Sequence, residues 1–203
     1  SKDSLENHDV GGEISFSEAI PQITASKTLR VALILSAPRS GSTLLRVMLA
    51  GHPDVFAPPE LHLLQFDNLQ QWQDRMGDSY LNEGLVRAFM EVKGIDAVQA
   101  RERIKNLVER KAGIGEIYDL LQKESGGRLL VDKSPSYAGH FETLQRAEAL
   151  TNEARYLCLV RHPYSVVESY VRNRMDRLTG STDTDPYQMA EEVWTVSNQN
   201  MMR

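Results

Sequence analysis

The chain has 203 residues, with 23 Lys and Arg against 28 Asp and Glu for a formal net charge of −5, and is 41% apolar and 25% charged. These proportions describe one ordinary globular domain, and the acidic balance argues against general nucleic-acid binding. No apolar run approaches the roughly eighteen residues needed to cross a bilayer, so no membrane role is expected.

Residues 1 to 28 are polar, with Gly11-Gly12 and an isolated apolar cluster near Phe16 and Ile20, and read as a lead-in segment or short helix. They lack the apolar core of a signal peptide and do not begin with Met, so the chain is expected to be a piece of something longer. The single cysteine, Cys158, is expected as an inert core residue; it permits no internal disulfide and fits a reducing cytoplasm.

Val31 to Leu35 is a continuous apolar run followed by turn-forming residues, the pattern of a strand buried on both faces. After Pro38-Arg39-Ser40-Gly41, residues 42 to 50 have helical character and Gly51 with Pro53 supplies a stop. A Pro-rich loop, Ala57-Pro58-Pro59-Glu60, precedes a stretch from about 61 to 124 that reads as several helices broken at Gly77, Gly94 and Gly113. Residues 128–132 and 155–160 are two further buried-strand candidates, with a helix expected around 140–150 between them. From Pro163, apolar residues at 167, 170, 171, 175 and 178 make one helix face. A polar loop, 179–186, and a last helix, about Tyr187 to Met202, complete the chain. Strands alternating with helices imply an α/β fold with a parallel sheet.

The most informative segment is Ser36-Ala-Pro-Arg-Ser-Gly-Ser-Thr43. A small-residue loop opening a helix aims several backbone N–H groups at one point, which attracts phosphate. Against the nucleoside-triphosphate loop G-x-x-x-x-G-K-[ST], Gly41 and Thr43 match, but Ser36 replaces the first glycine and Ser42 the lysine. The expected ligand therefore presents a single phosphate here, with Arg39 supplying the cation. The alternative is a strand-to-helix turn that binds nothing.

Pro38 to Thr43, followed by Leu44-Leu-Arg-Val-Met-Leu-Ala-Gly-His-Pro53, resembles the 5′-phosphosulfate loop and first helix of sulfotransferases that use 3′-phosphoadenosine-5′-phosphosulfate (PAPS). The similarity is to the subgroup with Pro-Arg-Ser-Gly-(Ser/Thr)-Thr, which includes tyrosylprotein sulfotransferases and bacterial biosynthetic ones. It implies a P-loop-like three-layer fold, a central parallel sheet flanked by helices, and a donor site of Arg39, Ser40, Gly41, Ser42 and Thr43. Arg161-His-Pro-Tyr-Ser-Val-Val-Glu-Ser169 resembles the family's 3′-phosphate element, an Arg after a strand and a Ser eight residues later. Segment 155–177 carries five arginines (155, 161, 172, 174, 177) against Glu168 and Asp176, a local charge of +3. Arg161 can grip phosphate bidentately and Ser169 can add a hydroxyl bond; Arg172, Arg174 and Arg177 read as a solvated face. An Arg-His pair after a strand also occurs in histidine phosphatases, but those place Gly where Pro163 stands.

Sulfuryl transfer needs alignment, a base, and positive charge near the bridging oxygen. Glu60 is the first choice for base and matches in position the catalytic Glu of tyrosylprotein sulfotransferases. His62 is the second, since its ordinary pKa suits proton transfer at neutral pH; either could orient the other. Lys133 resembles the Lys after a central strand that contacts the transferred group in Golgi-type sulfotransferases, and joins Arg39 in stabilising transfer. Asp132, Ser134 and Ser136 read as organising the turn and capping the next helix. Trp72, Trp194 and most methionines read as packing. No His, Asp or Glu spacing demands a metal.

The resemblance covers about residues 30 to 203, giving a lead-in at 1–28 and a sulfotransferase domain at 29–203. The family normally continues with more sheet and a basic Gly-rich loop, so the resemblance implies further donor contacts beyond residue 203. Residues 57–64 look like the sulfotransferase domains of bacterial modular polyketide synthases of the curacin and olefin synthase type. That implies a cytoplasmic enzyme acting on the β-hydroxyl of an acyl chain held by an acyl carrier protein, beside domains such as a thioesterase, to activate it for decarboxylative elimination to a terminal alkene. The alternatives are a free-standing small-molecule sulfotransferase, a P-loop nucleotide kinase, and a non-catalytic nucleotide-binding module.

Overall fold

The computed structural model describes residues 30–77, 79–151, 154–179 and 185–203. The expected lead-in segment 1–28 and the centre of the polar loop, 180–184, lie outside the described residues. Four parallel strands, β1 (Val31–Leu35), β2 (Val55–Phe56), β3 (Leu129–Asp132) and β4 (Arg155–Cys158), form one sheet in the order β2-β3-β1-β4. The helices are α1 (Ser42–Ala50), α2 (Leu69–Met76), α3 (Glu83–Lys93), α4 (Ala97–Glu109), α5 (Ile114–Glu124), α6 (Phe141–Leu150), α7 (Pro163–Arg172) and α8 (Pro186–Met201). Short 3-10 turns at Tyr80–Asn82 and Met175–Thr179 precede α3 and follow α7. No helix among the described residues is long and apolar enough to cross a membrane.

β1 is central, flanked by β3 (Leu33 opposite Asp132) and β4 (Leu35 opposite Cys158). Its side chains alternate between two layers, as the strand period requires. Val31, Leu33 and Leu35 enter a large core with Trp72, Phe89, Tyr118 and Leu121 from α2, α3 and α5. Ala32 and Ile34 face the other side, against Leu45 and Leu49 of α1. The sheet is thus covered on both faces, the reason its central strand reads as an unbroken apolar run.

Gly77 and Gly94 end α2 and α3, Gly94 at φ 62°, the left-handed C-terminal position that glycine adopts without strain. Gly113 instead starts α5, and α4 begins with an Asp96–Gln99 capping box. Sequence periodicity missed β2, which at two residues is too short to show alternation.

β4 departs from the expected buried strand. It pairs with β1 at the sheet edge, and Leu157 is 41% and Val160 63% exposed. Cys158 is likewise exposed rather than in the core. An apolar run has the same appearance in an edge strand and a central one, so sequence alone could not separate them.

The face expected to run on to residue 178 stops with α7 at Arg172. The Asn173 amide bonds back to the Ser169 carbonyl at 2.7 Å and Arg174 turns left-handed at φ 52°, which breaks the helix. Trp72 is buried, and five of the seven methionines pack on core clusters while Met48 and Met202 are exposed.

Candidate active site

Because all four strands are parallel, their C-terminal ends lie along one edge, where α/β sheets collect ligands. Each strand delivers part of the site there. β1 leads into the 36–43 loop, β2 into Glu60 and His62, β3 into Lys133, and β4 into Arg161.

The loop after β1 leaves several donors without a partner. Arg39 (φ 69°) and Gly41 (φ 95°) both adopt left-handed backbone, and α1 has no side-chain cap on its first N–H groups. Gly41 has open space around it, so its requirement is for the φ and not for room. Ser36 and Ser40 bury hydroxyls that have no hydrogen-bond partner. A buried polar atom without a partner is costly, and a phosphate oxygen would relieve it.

Arg161 and Ser169, 122 and 130 residues from Arg39, meet it here. The Arg39 Nε–H donates to Ser169 Oγ at 3.1 Å, and the Arg161 guanidinium donates to the Arg39 carbonyl at 3.0 Å. The two sequence elements therefore form one cationic cluster. Trp194, expected only to pack, donates its indole N–H to the Arg161 carbonyl at 3.0 Å and so fixes that arginine's backbone from α8. Arg172 pairs with Glu168 on an exposed helix face and takes no part.

Glu60, His62 and Lys133 form a second group beside the loop. Lys133 is 1% exposed, and its ammonium donates to Thr43 Oγ1 at 3.0 Å and to the Glu60 carboxylate, so it bridges the phosphate loop and Glu60. The other Glu60 oxygen lies 3.3 Å from His62 Nε2. Burial raises the Glu60 pKa, but hydrogen bonds from His62 and Lys133 and the Lys133 charge outweigh it and hold the carboxyl at about 2. Glu60 is thus an anion at neutral pH and a weak proton acceptor while Lys133 stays on it.

His62 is buried and sits at φ 52°, an unusual conformation for a non-glycine residue. Its Nδ1 lies 3.2 Å from Ser136 Oγ, whose own proton goes to Gln65 Oε1 at 3.2 Å. Nε2 faces the Glu60 carboxylate, which can only accept, so this edge of the ring holds that anion as an N–H donor, and the direction of the Nδ1–Ser136 bond follows the tautomer. Ser134 and Ser136 therefore bond back to the 62–65 loop instead of capping α6, whose first turn has no side-chain cap.

Glu60, His62 and Lys133 line a cleft of about 210 Å³ together with Arg46, Tyr80, Gly84 and Arg87. Arg46 donates to the Ala57 carbonyl at 2.7 Å and steadies the start of the Pro-rich loop. Gly84, in the first turn of α3, touches the Glu60 backbone: a Cβ there would lie 1.8 Å from the Glu60 carbonyl oxygen. Sequence reasoning passed over Gly84, although a glycine inside a helical pattern is itself a signal of close approach. Among the described residues, no group of three or more His, Cys, Asp or Glu is arranged to hold a metal ion.

The family model for the sulfotransferase family matches residues 32–203, which contain both the phosphate loop and the Arg161 element. The chain belongs to the sulfotransferase family. The chain is similar to the solved sulfotransferase domain from the curacin biosynthetic pathway, at 51% identity and a TM-score of 0.83, over 87% of this chain and 62% of that one. It is also similar to the sulfotransferase domain of the Synechococcus PCC 7002 olefin synthase, at 44% identity and a TM-score of 0.82, over 89% and 63% of the two chains. The nodulation protein NoeE of Sinorhizobium fredii (strain NBRC 101917 / NGR234) is 29% identical over 143 residues, 68% of this chain and 30% of that protein. The sulfotransferase thus spans about three fifths of the two solved domains and under a third of NoeE.

Proposed function

We propose that this sulfotransferase moves the sulfuryl group of PAPS to the β-hydroxyl of an acyl chain tethered to an acyl carrier protein. The observation that carries the transfer itself is Lys133, whose ammonium joins Thr43 of the phosphate loop to Glu60 of the neighbouring cleft. PAPS, when bound, supplies a sulfuryl group activated by its anhydride link to the 5′-phosphate. The orphaned Ser36 and Ser40 hydroxyls, the uncapped α1 and the Arg39–Arg161–Ser169 cluster fit such a doubly phosphorylated nucleotide. Residues 39–43 hold the 5′ side and Arg161 with Ser169 the 3′-phosphate. Ser42 stands where a nucleotide kinase would carry its lysine, which disfavours that alternative.

The acceptor hydroxyl enters the cleft beside His62. The Glu60 carboxylate takes its proton once the Lys133 ammonium turns toward the departing phosphate, and His62 Nε2, 3.3 Å away, orients that carboxylate. The acceptor oxygen bonds to sulfur as the bond from sulfur to the 5′-phosphate oxygen breaks, and the electron pair stays on that phosphate. Lys133 and Arg39 stabilise the charge developing on the leaving phosphate and the sulfuryl oxygens. Glu60 and His62 thus work as a pair, with Glu60 as the base and His62 orienting it.

The acyl-carrier reading draws support from the similarity to sulfotransferase domains of the curacin pathway and an olefin synthase. A cytoplasmic modular synthase would then present the acyl chain to the sulfotransferase domain, of which residues 29–203 are a part. A neighbouring thioesterase would hydrolyse the thioester with water. Loss of carbon dioxide and sulfate from the sulfated acid then leaves the terminal alkene. Mass spectrometry of a β-hydroxyacyl carrier protein and of the matching free acid, each incubated with PAPS, tests this. Sulfation of the carrier-bound chain alone is expected; equal turnover of the free acid would assign the enzyme to free small molecules.

A further inference from the structure

Behind the loop that carries Glu60 and His62 lies a buried polar cluster that neither the donor site nor the cleft uses directly. Asp132, at the C-terminal end of β3 and 0% exposed, accepts three hydroxyl protons. Tyr118 and Tyr137 donate to Oδ2, the latter at 2.8 Å, and Ser134 donates to Oδ1 at 3.0 Å. Each hydroxyl has one proton, so after giving it to the carboxylate it can only accept. Two of the three turn their lone pairs on the loop. Ser134 Oγ accepts the His62 N–H at 3.0 Å, and Tyr137 Oη accepts the N–H groups of Leu63 and Leu64 at 2.9 and 3.3 Å. The Tyr118 hydroxyl bonds no loop amide and touches only its neighbour Tyr137, at 3.4 Å, and Asp132.

Three successive backbone N–H groups, beginning at the left-handed His62, are therefore held by hydroxyls whose direction one anion sets. We infer that Asp132 is a positioning residue: by orienting Ser134 and Tyr137 it holds residues 62–64, and with them the Glu60–His62 pair, in the conformation that receives the acceptor. The arrangement needs a group that only accepts: burial raises the Asp132 pKa, and the hydroxyls of Tyr118, Tyr137 and Ser134 oppose that by donating to the carboxylate. An amide in its place would donate to one of the hydroxyls, which would then turn its own proton toward a loop N–H and repel it. The opposite side of the loop is strapped independently, by Trp72 on the Leu61 carbonyl at 3.1 Å and Arg146 on the Leu64 carbonyl at 2.9 Å. Loss of Asp132 should therefore loosen the 62–64 amides without unfolding the segment. The kinetic consequence rests on the sulfotransfer reading above; the structural one does not.

Amide hydrogen exchange and steady-state kinetics on Asp132→Asn, Tyr137→Phe and Tyr118→Phe test the inference. Asp132→Asn and Tyr137→Phe should speed exchange at residues 62–64 and lower kcat by about tenfold or more, with the donor KM within about twofold of wild type. Tyr118→Phe removes a partner of Asp132 but no loop contact, so it should lower Tm while leaving exchange at 62–64 and kcat near wild type. Equal effects of all three variants on exchange and kcat would overturn the inference and make the cluster a general core device. If Asp132→Asn does not fold, Tyr137→Phe against Tyr118→Phe decides the point alone. If the wild-type protein transfers no sulfuryl group, the functional reading fails while the exchange comparison still judges the positioning role.

Discussion

Gly84 lies so close to Glu60 that a methyl group on its Cα would sit 1.8 Å from the Glu60 carbonyl oxygen and 2.7 Å from its carbonyl carbon. Both obstructing atoms are backbone and cannot swing aside. Gly84→Ala should therefore push the Glu60 loop away from Lys133, costing about 1–3 kcal/mol of stability by overpacking and about 10²-fold in turnover by misplacement. Gly113→Ala, at a position with open space and an ordinary φ, should change neither. Thermal melts and initial rates on the two variants check the contrast.

Among the described residues, Lys133 is the one side chain that bonds both the 36–43 loop and Glu60. Lys133→Met keeps the buried length and removes the charge. Turnover should fall about 10²- to 10³-fold, the usual loss when a single group that stabilises developing charge is removed. The affinity for 3′-phosphoadenosine-5′-phosphate, which lacks the sulfuryl group, should change far less. Parallel measurement of kcat and of binding by calorimetry separates the two effects.

The ion pair also sets an acid sensitivity. Glu60 is held at about 2 in the folded protein against 4.5 for an ordinary glutamate, so folding favours its charged form. The resulting stabilisation is fully present above about pH 4.5 and is lost as pH falls toward 2. The Tm advantage of wild type over Glu60→Gln should be constant between pH 6 and 8 and shrink progressively below about pH 4.5. An advantage that grew on acidification would contradict this direction. At neutral pH, Glu60→Gln should also leave Lys133 buried without its counterion, at a cost of several kcal/mol.

His62 Nε2 lies 3.3 Å from the Glu60 carboxylate and orients it. His62→Gln should lower turnover by about tenfold or more, because a misplaced reacting group loses rate steeply. Binding of 3′-phosphoadenosine-5′-phosphate should be unchanged, because no contact joins His62 to the Arg39–Arg161 cluster. Rate and binding measurements on the same preparation check the contrast.

Local sequence carried much of this fold. The apolar 31–35 run, the small-residue loop and Gly51 mark a strand, turn and helix whose features are all short-range, and the structure forms them. The same holds for Pro163 at the start of α7 and for the residues that gather at the sheet edge. What was not legible depends on long-range contact. Nothing near Gly84 in sequence announces that Glu60 packs on it, and nothing near Asp132 shows that Tyr118, Tyr137 and the 62–64 amides converge there. The exposure of Cys158 and Leu157 was hidden for a related reason: strand order decides it, and strand order is set by crossovers between distant segments.

In the proposed reading, Arg39, Arg161 and Ser169 form one site for a nucleotide bearing phosphates on both its 5′ and 3′ positions. Calorimetric titration of wild type and Arg161→Ala with 3′-phosphoadenosine-5′-phosphate, AMP and ATP tests it most directly. Wild type should prefer the bisphosphate clearly over both others, and Arg161→Ala should weaken the bisphosphate by about tenfold or more, the value of a charge-assisted contact, while leaving AMP unaffected. Comparable affinity of wild type for ATP, or an Arg161→Ala variant that keeps the bisphosphate preference, would contradict the account.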